Sequence, residues 1–195
     1  LKKLSARGIA NVSCTHIAVE LDLLPIQVRK DIEVTGIVGK PKIGYAVDEL
    51  KTAIADFLGW NNSTDAFLVG AGHLGSALLG YEGFREHGLN IIAAFDTDGR
   101  KVGTTIHGRK VFALEKMENL VRRVKVPIGV LTAPAAAAQD LADRMVRAGI
   151  RGIWNFAPVK INVPANVFVQ HENLAASLAV LSRKIHFQAH PQQQS

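Results

Sequence analysis

The sequence predicts an α/β protein in two parts, a small helical unit ending in a hairpin and then a parallel sheet covered by helices on both faces. Two short amphipathic helices are joined by a tight turn near Asp22, and the run from Gly36 to Tyr45 holds too many glycines for helix. From Ala66 onward, apolar strand-like runs alternate with amphipathic helices, the pattern of a parallel sheet buried on both faces. The 195 residues are 48% hydrophobic with a mean hydropathy of +0.13, enough to bury a core in one large or two small domains.

Leu1, Leu4 and Gly8 read as the end of a first helix whose earlier turns lie upstream of Leu1. A second helix starts near Ser13, with Ser13 or Thr15 as N-cap and Ile17, Ala18 and Leu21 facing inward at helical spacing. It stops at Asp22, because aspartate tolerates the left-handed conformation better than most residues. Pro25 suits the first position of a third helix, expected over 25–35, with Val28 and Ile32 buried and Gln27, Arg29 and Lys30 outward. Two helices, a three-residue turn and the small Ala18 four residues before Asp22 form a helix-turn-helix pattern. GKPKIGY at 39–45 then fits a β-hairpin wing carrying Lys40 and Lys42, and a fourth helix is expected over 47–58.

The resulting boundaries are a winged helix-turn-helix domain over 1–60, a polar linker over 61–65, a sheet domain over 66–171, a C-terminal helix over 172–188 and a disordered tail over 189–195. Strands are expected near 66–69, 91–95, 128–131, 152–155 and 166–169, with helices near 74–87, 114–124, 136–148 and 173–186. No internal repeat is found.

The net charge of +6 suits a polyanion partner, yet residues 1–60 hold eight basic and seven acidic side chains, so basicity alone says little about nucleic acid. Arg29 and Lys30 gain weight from their place on the second helix of the bihelical unit, where solvated-face cations become phosphate contacts. Cys14 is the one cysteine, which rules out an intrachain disulfide or a multi-cysteine metal site and fits a reducing cytoplasm. The longest apolar run, 128–138, is interrupted by Gly129 and Pro134 and falls far short of the roughly 20 residues that span a bilayer. No membrane partner and a cytoplasmic location are therefore expected.

The strand AFLV runs directly into Gly70-Ala71-Gly72-His73-Leu74-Gly75, where a helix opens. Gly70 permits the tight turn, Gly72 lets backbone approach a pyrophosphate, Gly75 lets helix and strand pack closely, and the helix amino terminus offers free N–H groups to phosphate. Asp96 ends the next strand 21 residues after Gly75, placed to accept the adenosine ribose hydroxyls. Together these make the sheet domain a Rossmann fold and predict dinucleotide binding. A carboxylate there repels a 2′-phosphate, favouring NADH and NAD+, although Arg100 and Lys101 stand nearby.

A dehydrogenase needs a proton donor or acceptor beside the nicotinamide, and no histidine with an orienting carboxylate stands at a predicted strand end. His73 reads as a permissive position in the loop, and His16, His87, His107, His186 and His190 lack metal-ligand spacing. The roughly 120 residues after the glycine loop finish a Rossmann sheet and leave no substrate domain. Catalytic residues and metal ligands are accordingly not expected. The alternatives are an NAD-dependent oxidoreductase with an accessory N-terminal domain and a CoA- or nucleotide-binding assembly module.

The chain resembles the Rex redox-sensing repressors along nearly its whole length, through QVRKD at 27–31, GK at 39–40, GY at 44–45, VGAGHLG at 69–75, Tyr81, GF at 83–84, AAFDTD at 93–98, KVG at 101–103, TAPAAAAQ at 132–139, AGI at 148–150 and NFAPV at 155–159. That resemblance implies a homodimer that binds palindromic operator DNA, exchanges its C-terminal helix between subunits and is released from the operator by NADH. It implies that Gly70, Ala71, Gly72, His73, Leu74, Gly75, Asp96 and Lys101 hold the dinucleotide, and that Thr132, Ala133, Pro134, Asn155, Phe156, Ala157 and Pro158 line the nicotinamide end. Tyr81 matches a tyrosine resembling a redox latch. Its usual partner is an aspartate at the start of the exchanged helix, where this chain has Asn173 followed by Leu174. A neutral amide keeps a hydrogen bond to a phenol but gives no charge attraction to the positive ring of NAD+. The implied DNA contacts are Ser13, Thr15, Gln27, Arg29, Lys30, Lys40, Lys42 and Tyr45, with Pro41 standing where an arginine is common in the wing.

Overall fold

A computed structural model describes residues 1–60 and 64–189. The chain divides into two compact units, one made of Leu1–Ser63 with Gly83–Leu89 and the other of Thr64–Glu82 with the chain from Asn90 onward.

The first unit contains helices α1 (Lys2–Ala6), α2 (Cys14–Leu21), α3 (Pro25–Glu33) and α4 (Val47–Phe57), with strands β1 (Asn11–Val12) and β2 (Tyr45–Ala46) paired antiparallel. Ser13 caps α2 by accepting the His16 N–H at 3.1 Å, and Asp22 ends it in the left-handed conformation at φ 54°. The hydroxyl satisfies one of the donors a helix start leaves unpaired, so Ser13→Ala is expected to cost about 1 kcal/mol, read as a lower urea midpoint at unchanged slope. Thr15 is not the cap; it sits exposed in the first turn of α2. Val12, Ala18, Val28, Ile32, Val47 and Leu50 form the core. Leu21, expected inside, is exposed, because α2 ends there and its last turn points beyond the core. Helix α3 stops at Glu33, two residues earlier than expected, and the Thr35 hydroxyl donates to the Ile32 carbonyl as the chain turns away.

The second unit is built on a seven-stranded sheet from β3 (Thr64–Val69), β4 (Leu89–Asp96), β5 (Thr105–Ile106), β6 (Arg109–Ala113), β7 (Ile128–Leu131), β8 (Gly152–Asn155) and β9 (Phe168–His171), in the order β5-β6-β4-β3-β7-β8-β9. Parallel pairing joins β3 to β7, β4 to β6, β7 to β8 and β8 to β9. Strand order reverses at β3, so a crevice forms at the carboxyl ends of the strands beside it. Helices α5 (His73–Leu79), α6 (Met117–Val124), α7 (Ala135–Ala148) and α8 (Leu174–Ala189) complete the unit. Phe67, Phe95 and Met145 are among the fully packed residues of its core, with the first two rings edge to face at 5.1 Å.

Several expectations from the sequence are corrected. The predicted linker over 61–65 gives way at Thr64, where β3 already begins, while 61–63 lie outside the described residues. The single helix over 74–87 is instead α5 and a separate 3-10 helix, Glu82–His87. Gly80 and Gly83 weaken the helix, and the His107 ring occupies the space a side chain at Gly80 would need. The segment from Gly83 clusters with the first unit, where the His87 ring meets Trp60 edge to face at 4.4 Å and Lys2 pairs with Glu86. Strands β5 and β6 were not expected; His107 and Gly108, both at positive φ, turn one into the other. The last strand begins at Phe168 rather than 166, after a turn in which the Val167 N–H reaches the Pro164 carbonyl. Helix α8 runs to Ala189, so the expected tail retains only 190–195, which lie outside the described residues.

Candidate functional site

The glycine loop sits at the reversal of strand order. Gly70 takes φ +99° and its N–H donates to the Phe95 carbonyl at 2.8 Å, while the Thr132 hydroxyl donates to the Gly70 carbonyl at 2.6 Å. A Cβ on Gly75 would lie 2.0 Å from the Gly70 carbonyl oxygen, so α5 and β3 touch where only glycine fits. A Cβ on Gly72 would meet nothing within 4 Å. Open space on that side is what backbone approach by a pyrophosphate requires, and His73 and Leu74 begin α5 beside it, both exposed.

Asp96 stands at the carboxyl end of β4, facing the glycine loop. One carboxylate oxygen accepts the Ala71 N–H of the glycine loop at 2.8 Å and the other accepts the Asp98 N–H at 2.8 Å, leaving lone pairs on both for hydroxyl donors. Lys101 Nζ lies 3.4 Å from Asp96 and 3.8 Å from Asp98. Asp98 also takes the Arg100 guanidinium in a fork, with Nε at 3.0 Å and Nη2 at 2.9 Å, and accepts the Arg100 backbone N–H at 3.0 Å. These bonds hold the Asp98 carboxyl down to about 2, so it is ionised throughout the physiological range.

The other end of the crevice is shaped by Asn155, the one buried polar side chain among the described residues, with no exposed surface. Its Nδ2 donates to the Val159 carbonyl at 2.8 Å and faces His171 Nδ1 at 3.0 Å, and its Oδ1 accepts the Ala157 N–H at 3.0 Å. Asn155 therefore fixes the loop holding Phe156, Ala157 and Pro158 rather than offering a free amide. Ala133 is buried and Pro134 exposed as the N-cap of α7. Tyr81 is exposed just past α5. Asn173 accepts the Ala176 N–H at 2.9 Å through Oδ1, capping α8, and Leu174 begins that helix, its side chain lying outside the described residues.

In the first unit, α2, α3 and the hairpin converge on Tyr45. Its phenol hydrogen-bonds Cys14 at the start of α2, feels the Arg29 charge from α3, and is pushed up chiefly by burial, so it stays a neutral donor. Arg29, Lys30, Lys40 and Lys42 are all exposed. Gln27 is exposed in the first turn of α3 and donates to Asp31 at 2.7 Å. The wing is a tight loop closed by a bridge between Lys40 and Gly44, with Pro41 at the position where its fixed φ starts the turn and Lys42 at φ +62°.

A curated relative from Treponema denticola, a redox-sensing transcriptional repressor Rex, is 53% identical over 93% of this chain and 86% of its own length. The chain belongs to the Rex family. Two solved structures of a Rex-type repressor called RSP are similar over 100% of this chain and 91% of theirs. One, in complex with beta-NAD+ and operator DNA, has a TM-score of 0.89 at 31% identity, and the other, in complex with beta-NADH, has 0.89 at 30%. The family described as CoA binding domain matches residues 61–159, a span that takes in the glycine loop and NFAPV.

Two features of this Rex chain escape sequence reading. Thr132, expected at the nicotinamide end by resemblance, also locks the glycine loop through its hydroxyl. Asp98 was not singled out, although the D-x-D spacing after a strand signals an aspartate that folds back on the following backbone.

Proposed function

We propose that this chain is an NADH- and NAD+-responsive transcriptional repressor, not an enzyme, that binds palindromic operator DNA as a cytoplasmic homodimer and is released by NADH. The reading is carried by one observation: a helix-turn-helix and wing that carry four exposed cations between them, and a glycine loop with its strand-end carboxylate, occur in one chain of the Rex family. Gly70 to Gly75, Asp96 and Lys101 hold the dinucleotide; Thr132 to Pro134 and the loop braced by Asn155 frame the nicotinamide, with Tyr81, Asn173 and Leu174 at that end. The bound dinucleotide supplies the redox signal, since its nicotinamide is charged when oxidised and neutral when reduced.

A 16-residue helix α8 that leaves Leu178, Val180, Leu181 and Ile185 more than half exposed in a single chain supports its exchange with a second copy. Two-fold symmetry then sets two recognition helices about one DNA turn apart. Arg29, Lys30, Lys40 and Lys42 grip phosphates, with Ser13, Thr15 and Tyr45 as neutral donors, while Gln27 reads base edges. NADH releases the operator only to the extent that it prefers the DNA-incompetent dimer, and a shift from 1:99 to 99:1 needs about 5.5 kcal/mol of differential affinity. In a gel shift on a palindromic duplex at fixed salt, micromolar NADH should reduce the retarded species. Unchanged retardation across an NADH titration overturns the reading.

A further inference from the structure

We propose that Asp98 is a specificity-determining residue of the dinucleotide site: by holding Arg100 and flanking Lys101, it keeps two cations from forming a 2′-phosphate pocket beside the adenosine ribose. The inference rests on the NAD(H) reading of the glycine loop and adds to it the residue that excludes NADP(H).

The end of β4 and the corner after it hold four charged side chains within six positions, Asp96, Asp98, Arg100 and Lys101. Arginine and lysine are the residues that accommodate a 2′-phosphate at this place in dinucleotide folds, and an arginine fork suits phosphate as well as it suits carboxylate. Arg100 is 90% exposed along its side chain and long enough to reach elsewhere, yet its fork is spent on Asp98, itself 24% exposed. Lys101 stands between the two carboxylates. Two cations facing two carboxylates leave no net positive charge to attract a phosphate dianion. Asp96 alone disfavours a 2′-phosphate, but the pair Arg100 and Lys101 would outweigh a single carboxylate. Asp98 restores the balance.

An exposed ion pair contributes little to stability, so its loss leaves the fold intact while changing which anion the fork can take. Asparagine is the informative replacement, because its amide oxygen still accepts the Arg100 backbone N–H that shapes the turn.

The experiment is calorimetric titration of the full chain with NADH and with NADPH, for the unsubstituted protein, Asp98→Asn, Arg100→Gln and the double variant. NADH affinity should stay within threefold in all four. NADPH should bind Asp98→Asn about tenfold more tightly than the parent, the gain should vanish in the double variant, and Arg100→Gln alone should change nothing. An unchanged NADPH affinity in an Asp98→Asn protein that binds NADH overturns the proposal. So does a loss of NADPH affinity in Arg100→Gln alone, a variant that leaves the Asp98 turn in place and shows whether the fork was already free for phosphate. If the parent binds neither nucleotide, the NAD(H) reading falls and takes this inference with it.

Discussion

Gly75→Ala is expected to weaken NADH binding by about a hundredfold, equivalent to roughly 2.7 kcal/mol, and to destabilise the sheet unit by about 1–3 kcal/mol through overpacking. The new Cβ would stand 2.0 Å from the Gly70 carbonyl oxygen and 2.9 Å from the Thr132 hydroxyl. Both neighbours are held, the first by backbone and the second by its hydrogen bond to that same carbonyl. Relief therefore requires α5 to move away from β3, which shifts every N–H of the glycine loop. Gly72→Ala separates the two consequences, since its Cβ meets no protein atom within 4 Å. That variant should lose no more than about 1 kcal/mol of stability, the order of cost of alanine at an N-cap, yet lose NADH affinity, because the added methyl stands where the pyrophosphate must approach. Denaturant unfolding and calorimetry on both variants check the pair, and full NADH affinity in folded Gly72→Ala would remove the loop from the cofactor site.

Gly44→Ala should weaken operator binding at least about tenfold while leaving NADH binding in place. Gly44 has φ +92°, and a Cβ there would lie 2.3 Å from the Val12 carbonyl oxygen and 2.9 Å from its carbon. Left-handed backbone costs a non-glycine residue about 1–2 kcal/mol, and the clash with strand β1 adds to it. The β1–β2 pairing must open, which frees the wing and the Tyr45 ring that packs on Gly39. Lys40 and Lys42 would no longer be held in register with Arg29 and Lys30. Fluorescence anisotropy on a labelled operator, at one fixed salt concentration because phosphate contacts are salt-dependent, should show at least about a tenfold loss, while calorimetry with NADH should match the parent. Operator affinity retained within twofold would show that the wing takes no part in DNA binding.

Most of the helix-turn-helix was legible because its signals are local. Asp22 turns left-handed, Pro25 opens α3, and Val28 and Ile32 repeat at helical spacing, each the property of a few adjacent residues. The glycine loop was legible for the same reason, as glycines at fixed spacing between a strand and a helix. The 3-10 segment at Glu82–His87 was not. Gly80 and Gly83 only weaken a helix, and the His107 ring that fills the space beside Gly80 comes from 27 positions away. The β5–β6 turn was missed because His107 takes the positive φ usually left to asparagine or glycine.

By itself the sequence determined the order of the two units, the position of the phosphate loop and its acidic partner, and the family to which they point, since all of these reside in short, contiguous patterns. Tertiary structure alone decided that the buried Asn155 amide faces His171, 16 positions on, and that Thr132 locks the glycine turn 62 positions before it. Hydrogen-bond partners follow from where distant segments of the chain come to rest, and a buried or charged group takes the partner that folding leaves nearest, which no local spacing records.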